Sequence, residues 1–149
     1  MKFAQFEAGQ VITAGPYEVS EAEIIEFAQQ YDPQWFHTDP EGSRQGRFEG
    51  LIASGWHTCG IAMRLAVDEI LAGSESFASP GLKYVNWPAP VRPGDRLTLR
   101  VEVLETRRSS KQPQLGILHW RWQLLNQNEV EVLQLEATNL FDLAVDSPA

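Results

Sequence analysis

The sequence has 149 residues, 43% of them hydrophobic, which suits one compact domain that needs no disulfide to hold its core. Its formal net charge of -8 argues against nucleic acid and anionic membranes as partners, because both are bound through clustered Lys and Arg. A single cysteine, no signal peptide and no apolar run near the roughly 20 residues of a bilayer span lead us to expect one cytoplasmic domain.

The first predicted elements are a strand or extended segment at residues 11–19 and a helix directly after it. Ser20 begins a capping box with the glutamate three positions on, in which each side chain bonds the other's backbone N–H. Helically spaced apolar residues then predict a helix over residues 21–30. Pro33 disfavours helical geometry in the residue before it, so Asp32 is expected just beyond the helix end, in extended backbone.

A second, longer helix is predicted after residues 38–50, a loop rich in Gly, Pro, Asp and Arg that leaves room for one short helical turn. Ser54 is its candidate N-cap, Trp56–Leu71 contain no proline, and Gly73 stands where a helix stop belongs. Apolar residues cover most of the circumference of this helix, so we expect it to be buried.

Alternating apolar and polar residues predict strands in the second half of the chain. These strands are expected at residues 80–87, 96–103, 118–124 and 130–141. The alternation slips near Val132 and Leu133, which indicates a bulge in the last strand. An antiparallel sheet that follows one apolar helix predicts an α+β fold, in which the sheet curls around the long central helix.

Asp32 and His37 are the residues best suited to chemistry, because they lie five positions apart in a segment that we expect to be non-helical. There a carboxylate and an imidazole can converge on one water molecule and act as general acid and base. The spacing alone also fits an Asx turn beside an exposed histidine. His57, in the first turn of the apolar helix, is expected to be a neutral histidine that is packed or hydrogen-bonded, and His119 to be solvated or paired across strands.

Other kinds of site find less support in the sequence. No group of His, Cys and Asp has metal-ligand spacing, no serine lies in a nucleophile elbow, and no glycine-rich loop matches a nucleotide fingerprint. Neither a metal nor a cofactor is therefore expected. The start of the apolar helix, Ala53–Trp56, has small residues where unpaired N–H groups favour negative charge, although an ordinary N-cap explains the same pattern.

Three segments resemble the MaoC-like dehydratase family, which includes the (R)-specific enoyl-CoA hydratases. Their residues are Phe27-Ala28-x-x-Tyr31-Asp32-Pro33-Gln34-x-Phe36-His37-x-Asp39-Pro40, then Phe48-Glu49-Gly50-Leu51-Ile52-Ala53-Ser54-Gly55-Trp56-His57, and Trp87-x-x-Pro90-Val91-Arg92-Pro93-Gly94-Asp95-x-Leu97. The similarity runs over about residues 20–141. It implies a single MaoC-like hot-dog domain over residues 1–149, and a homodimer or dimer of dimers with its active site near the subunit interface.

The resemblance also implies a reaction, the hydration of an enoyl thioester or the reverse dehydration of a 3-hydroxyacyl thioester. Asp32 and His37 would hold and activate the water that adds to the β-carbon, and the Gly55 backbone N–H would bind the thioester carbonyl oxygen. Charge develops on that oxygen during attack, so a preorganised N–H stabilises the transition state. The residues expected to bind the substrate are Ser54, Gly55, Trp35, Phe36 and Trp56.

The sequence departs from the family signature at two places. The signature usually has glycine before the aspartate, where this chain has Tyr31, and Asn-Pro in the places of Gln34 and Trp35. The bulk of Trp35 is expected to limit the size of the acyl group. These changes bear on the substrate and the direction of the reaction more than on the Asp32–His37 dyad.

The acyl carrier is expected to be coenzyme A or an acyl carrier protein. Arg107, Arg108 and Lys111 lie in the loop between two predicted strands, where they could meet the phosphates of coenzyme A or form a solvated hairpin tip. Two other functions stay open. A hot-dog acyl-CoA thioesterase would also use a carboxylate and a helix N-terminus, but it has no need of the histidine. A non-catalytic acyl-thioester-binding protein would need no dyad.

Overall fold

The computed structural model describes residues 1–144 and contains a five-stranded antiparallel sheet. Its strands are β1 (Val11–Glu18), β2 (Ser76–Asn86), β3 (Arg96–Arg108), β4 (Leu115–Leu125) and β5 (Glu131–Asp142). Their order across the sheet is β1-β3-β4-β5-β2, which leaves β1 and β2 as the edges. The last part of the predicted domain, residues 145–149, lies outside the described residues.

The alternation of apolar residues decides which face of the sheet is buried. In β4 every second residue is buried along the whole strand, and Leu118, Trp120 and Leu124 have no exposed surface. In β5 the neighbours Val132 and Leu133 are both buried, and the pairing of β5 with β4 shifts its register beside them. The predicted bulge is therefore confirmed, as are the four strands predicted for this half of the chain.

The helices are α1 (Glu21–Tyr31), α2 (Trp35–Thr38), α3 (Pro40–Ser43) and α4 (Gly55–Ala66), and a π-helical turn at Val67–Leu71 extends α4. The capping box of α1 is confirmed. The Ser20 hydroxyl accepts the Glu23 N–H at 3.1 Å, and the Glu23 carboxylate accepts the Ser20 N–H at 3.2 Å. Asp32 is the C-cap residue, just beyond the helix end as predicted. Within residues 1–144, no helix is long and apolar enough to cross a lipid bilayer.

The expectation of a non-helical segment from Asp32 to His37 is wrong in its second half, because Trp35–Thr38 form the single helical turn α2. Pro33 keeps only the residue before it out of helical geometry, and Asp32 accordingly has φ -152° and ψ 67°. Gln34 then acts as the N-cap residue of α2, and its carbonyl accepts the His37 N–H at 2.9 Å. His37 thus has a fixed backbone position.

Helix α4 is the central helix, and its inner face packs into the core under the sheet. Ile61, Ala62 and Ala66 on this face are almost fully buried. On the outer face Trp56 is 63% exposed and Met63 is 42% exposed, so one side of the helix is open in the single chain. The predicted α+β class with a central helix is confirmed, but the helix is not buried around its whole circumference.

Candidate active site

Asp32 is held by its backbone and by one oxygen of its carboxyl group. Its N–H donates to the Ala28 carbonyl at 2.8 Å, which fixes it to the end of α1. The Gln34 side-chain amide donates to Asp32 Oδ1 at 2.7 Å. The other oxygen, Oδ2, faces Nε2 of His37 at 3.2 Å. The carboxylate therefore has a defined rotation, with each oxygen assigned to a different neighbour.

His37 is buried, and its two ring nitrogens face different groups. Nδ1 lies 2.7 Å from the Ile52 carbonyl oxygen, which can only accept a hydrogen bond, so the network assigns a proton to Nδ1. Nε2, the other ring nitrogen, faces the Asp32 carboxylate. A neutral ring would then direct a lone pair at the carboxylate, and the contact becomes favourable only with a proton between the two groups. The two side chains can therefore share one proton between Nε2 and Oδ2.

The pKa of Asp32 lies below its ordinary value as the balance of opposed effects. Burial would raise this pKa, but the hydrogen bond from Gln34, the nearby hydroxyl of Ser54 and the charge of His37 together outweigh it. The Ser54 hydroxyl acts through its proximity only, because it meets hydrogen-bond geometry with no group in residues 1–144. Asp32 is consequently ionised at neutral pH.

Ser54 is the N-cap residue of α4 by position, but its side chain makes no capping hydrogen bond. The hydroxyl is fully buried and lies beside Asp32 rather than over the first turn of the helix. The predicted N-cap position of Ser54 is therefore confirmed, but the hydroxyl cap that an ordinary serine N-cap would supply is not present. The Ser54 hydroxyl does not cap α4 because it lies in the interior, between α4 and the end of α1.

Gly55 is the first residue of α4, and its N–H has no hydrogen-bond partner within residues 1–144. Such an N–H at a helix start is a donor for a negatively charged oxygen. The indole of Trp87 covers the same residue and donates from Nε1 to the Gly55 carbonyl at 2.9 Å. A Cβ at position 55 would lie 2.6 Å from Trp87 Cε2, so only glycine fits under this ring.

A cavity of about 480 Å³ brings these groups together. It is lined by Asp32, His37, Phe48, Ile52, Ala53, Gly55, Trp56, Thr58, Trp87, Pro88, Ala89, Pro90 and Val91. The dyad, the free N–H of Gly55 and an otherwise largely apolar wall thus share one space. Of the residues predicted to bind substrate, Gly55 and Trp56 line this cavity.

Trp35 and Phe36, two more of the predicted substrate residues, line a separate and smaller cavity of about 190 Å³. Phe48 forms part of the wall of both cavities and so stands between them. The Phe36 ring lies against the His37 ring, with 4.3 Å between ring centroids. Trp35 is packed over Gly46, where a Cβ would come within 2.8 Å of the indole.

The predicted basic cluster lies away from the cavity. Arg107 and Arg108 are at the end of β3, and Lys111 is in the loop that leads to β4. Arg107 Nε lies 3.6 Å from a Glu105 carboxylate oxygen, and Arg108 donates to the Pro113 carbonyl at 3.1 Å. None of the three basic residues lines the cavity that contains Asp32 and His37.

Sequence reasoning missed four residues that shape the site: Gln34, Phe48, Ile52 and Trp87. All four lie in the segments that carry the family resemblance, but no local pattern in the sequence marks their contacts. Ile52 acts through its carbonyl and Trp87 through its indole N–H, on partners 15 and 32 positions away respectively. A glutamine two residues after a candidate base was the one local signal available.

The two other histidines lie outside the cavity lining. His57 is buried, stacks on Phe27 with ring centroids 4.8 Å apart, and faces Glu23 through Nε2 at 3.2 Å. The prediction of a packed His57 is confirmed. His119 Nδ1 lies 2.8 Å from the Thr138 hydroxyl on the neighbouring strand, so the predicted cross-strand pairing is confirmed as well. Among residues 1–144, no group of three or more His, Cys, Asp or Glu could hold a metal ion.

Comparisons with known proteins agree with this architecture. The family model described as the MaoC like domain matches residues 3–118. YdeM of Bacillus subtilis (strain 168), which is itself uncharacterized, is 37% identical over 140 residues, or 94% of this chain and 98% of YdeM. The crystal structure of a MaoC-like dehydratase from Rhodospirillum rubrum is 35% identical with a TM-score of 0.85, covering 93% of this chain and 94% of that one.

A similar fold is found in an enzyme whose reaction is named. The R-hydratase PhaJ1 from Pseudomonas aeruginosa, in its unliganded form, has a TM-score of 0.72. The alignment covers 93% of this chain and 84% of PhaJ1, at 22% sequence identity. This second likeness is one of fold.

Proposed function

Because this chain belongs to the MaoC-like domain family and has its hot-dog fold, we propose that it hydrates an enoyl thioester or catalyses the reverse dehydration. The family supports hydration and dehydration in general terms. The observation that carries the specific proposal is the Asp32–His37 pair, which shares one cavity with the unpaired Gly55 N–H. We propose that all three act on the substrate.

In the proposed reaction, ionised Asp32 and the Nε2 side of His37 bind one water molecule. The pair takes a proton from this water as its oxygen attacks the β-carbon of the enoyl thioester. The electrons move to the thioester oxygen, where the Gly55 N–H and the start of α4 stabilise the enolate. The pair then returns a proton to the α-carbon on the same face. The sum is the addition of one water molecule, and dehydration is the same path reversed.

The cavity supports a substrate that carries an apolar acyl group. We propose that Trp56 contacts the thioester end, while Trp35 and Phe36 border the acyl end in the smaller cavity behind Phe48. Ser54, which is fully buried, would act on the substrate only through Asp32. The acyl carrier in this proposal is coenzyme A or an acyl carrier protein.

We propose further that the working unit is a homodimer paired through the edge strand β2. Nearly the whole of β2 is exposed in the single chain, including Phe77 at 57% and Leu82 at 48%. An exposed apolar edge strand presents unpaired backbone groups that a second copy can satisfy. Sedimentation at micromolar concentration is expected to give a dimer, and an active monomer would contradict this assembly.

Such a dimer bears on the proposed role of Arg107, Arg108 and Lys111 at the phosphates of coenzyme A. Within one chain Arg108 lies about 40 Å along β3 from Arg96, which closely follows the cavity-lining residues Trp87 to Val91 in the sequence. Ser76 marks the hairpin end of β2, and the other end of β2 leads into the cavity wall. Antiparallel pairing of two β2 strands would bring the basic hairpin of one subunit to the cavity end of the other.

The direct test is to incubate the purified protein with a panel of enoyl-CoA esters of different chain length. Loss of enoyl absorbance and release of free thiol are followed in parallel, with Asp32→Asn and His37→Gln proteins as controls. Enoyl loss without thiol release is expected, and the two variants should lose it. Thiol release would instead indicate a thioesterase, and saturable binding with no turnover would indicate an acyl-thioester-binding protein.

A further inference from the structure

We propose that Gln34 is a positioning residue that holds the carboxylate of Asp32 ionised and aimed at His37. This inference rests on the proposed function and adds a residue whose side chain lies outside the cavity lining. The Gln34 side chain turns back onto the carboxylate two positions earlier.

The rotation of the Asp32 carboxyl group depends on the contacts of its two oxygens. The terminal torsion of an aspartate is broad, so the carboxylate turns easily unless its oxygens are held. Gln34 Nε2 holds Oδ1 at 2.7 Å, and this leaves Oδ2 at 3.2 Å from His37 Nε2. Without the amide, the position of Oδ2 would depend on the contact with His37 alone. That contact changes each time a proton moves.

The amide is well placed because the backbone of Gln34 is fixed at both of its polar atoms. Its N–H donates to the Asp32 carbonyl at 2.8 Å. Its carbonyl accepts the His37 N–H at 2.9 Å and the Thr38 hydroxyl at 3.2 Å. Gln34 therefore touches both members of the dyad. The side chain of an exposed glutamine ordinarily moves freely in solvent. Here the fixed backbone of Gln34 keeps its side-chain amide next to Oδ1 of Asp32.

The Gln34 side-chain amide is a neutral hydrogen-bond donor, which suits the proposed role of Asp32 as a base. A neutral amide that donates to a carboxylate favours the ionised form, and it acts against the burial that would raise the pKa of Asp32. A guanidinium or ammonium in the same place would depress the basicity of the carboxylate further and compete with His37 for it. A neutral donor keeps Asp32 ionised while leaving it able to accept a proton from water.

The test uses Gln34→Met, which keeps the length and removes the donor, and Gln34→Glu, which puts a second carboxylate against Asp32. Gln30→Met, in the exposed part of α1, is the matched control. For Gln34→Met, kcat is expected to fall about tenfold, as for the loss of one hydrogen bond to a charged group, with KM little changed. The acid limb of the kcat/KM profile should move to higher pH, and further in Gln34→Glu.

The same variants are titrated by carbon NMR of the Asp32 carboxyl, which needs no turnover. A higher Asp32 pKa in both Gln34 variants, with Gln30→Met unchanged, supports the inference. An unchanged Asp32 titration together with an unchanged acid limb would overturn it. If the wild-type protein turns over no enoyl thioester, the proposed function fails, and the NMR titration alone still decides whether Gln34 controls the ionisation of Asp32.

Discussion

Two histidine–carboxylate pairs in this molecule have the same separation and different surroundings. His37 and Asp32 are 3.2 Å apart between Nε2 and Oδ2, and His57 and Glu23 are 3.2 Å apart between Nε2 and Oε2. Both imidazoles are buried. Only the first pair lines the cavity that also contains Gly55. Pair geometry by itself therefore does not distinguish a reactive site from a structural one.

The two carboxylates differ in the hydrogen bonds that they accept. Glu23 accepts the Ser20 N–H on Oε1, and on Oε2 it accepts the Tyr17 hydroxyl at 2.8 Å besides facing His57. Asp32 has one side-chain donor, Gln34, and turns its other oxygen toward His37 at the cavity. Asp32 borders the cavity, whereas both oxygens of Glu23 accept hydrogen bonds that help to hold α1 in place.

The two histidines differ in the hydrogen-bond partner of the second ring nitrogen, Nδ1. His37 Nδ1 is paired with the Ile52 carbonyl, so the ring can carry two protons with both N–H groups bonded. His57 Nδ1 is buried with no partner in residues 1–144. His37 therefore has an acceptor facing each ring nitrogen, whereas within residues 1–144 His57 has one facing Nε2 alone.

The largest expected effect separates the two carboxylates by activity. Asp32→Asn should lower turnover of the true enoyl thioester by about 10²- to 10⁴-fold, since it removes the proposed general base. The matched change Glu23→Gln should leave turnover within about tenfold, because Glu23 orients α1 and does not line the cavity. Steady-state kinetics on both proteins measure the contrast. Equal losses in the two variants would end the distinction between the pairs.

The next effect concerns the helix start that faces the cavity pair. In Gly55→Ala the new Cβ would lie 2.6 Å from Trp87, so it should cost about 1–3 kcal/mol of unfolding free energy and lower turnover. Gly60→Ala in the same helix meets nothing within 4 Å and should be neutral or stabilising. Chemical denaturation and kinetics of both variants check this. Repeating Gly55→Ala with Trp87→Ala should relieve most of the cost, and failure to do so would exclude the indole as the cause.

A smaller effect distinguishes the serine beside each pair. Ser20→Ala should destabilise the protein by about 1 kcal/mol, because the Ser20 hydroxyl caps α1. Ser54→Ala should change the free energy of unfolding by only about a few tenths of a kcal/mol, since the buried Ser54 hydroxyl completes no hydrogen bond in the described residues. Denaturant melts of the two single variants give the comparison. A larger loss for Ser54 than for Ser20 would mean that the Ser54 hydroxyl does bond Asp32.

The smallest effect is the pH dependence of stability at Asp32. Its pKa is lowered on folding, so its contribution is present above the ordinary carboxyl pKa of about 3.9 and is lost as the pH falls through the folded value. In that acid window the free energy of unfolding should decline more steeply in wild type than in Asp32→Asn. Urea melts at a series of pH values measure both slopes. Parallel slopes would show that folding does not change the affinity of Asp32 for a proton.

The sequence by itself determined the elements whose signals are local. Period-two alternation predicted the strands of the second half, and the Ser20–Glu23 spacing predicted the start of α1, because these interactions join residues only a few positions apart. The position of Asp32 followed from Pro33 for the same reason. A local error, the missed turn α2, arose because the effect of Pro33 was extended to residues that it does not constrain.

Only the tertiary structure decided which polar groups of the site meet. Ile52 pairs with His37 across 15 positions, Trp87 covers Gly55 across 32, and Glu23 pairs with His57 across 34. Such contacts depend on how α1, α4 and the loop before β3 pack together, and packing leaves no periodic signal in the chain. For that reason the sequence alone did not show that one buried histidine, His37, lines a cavity while another, His57, stacks on Phe27.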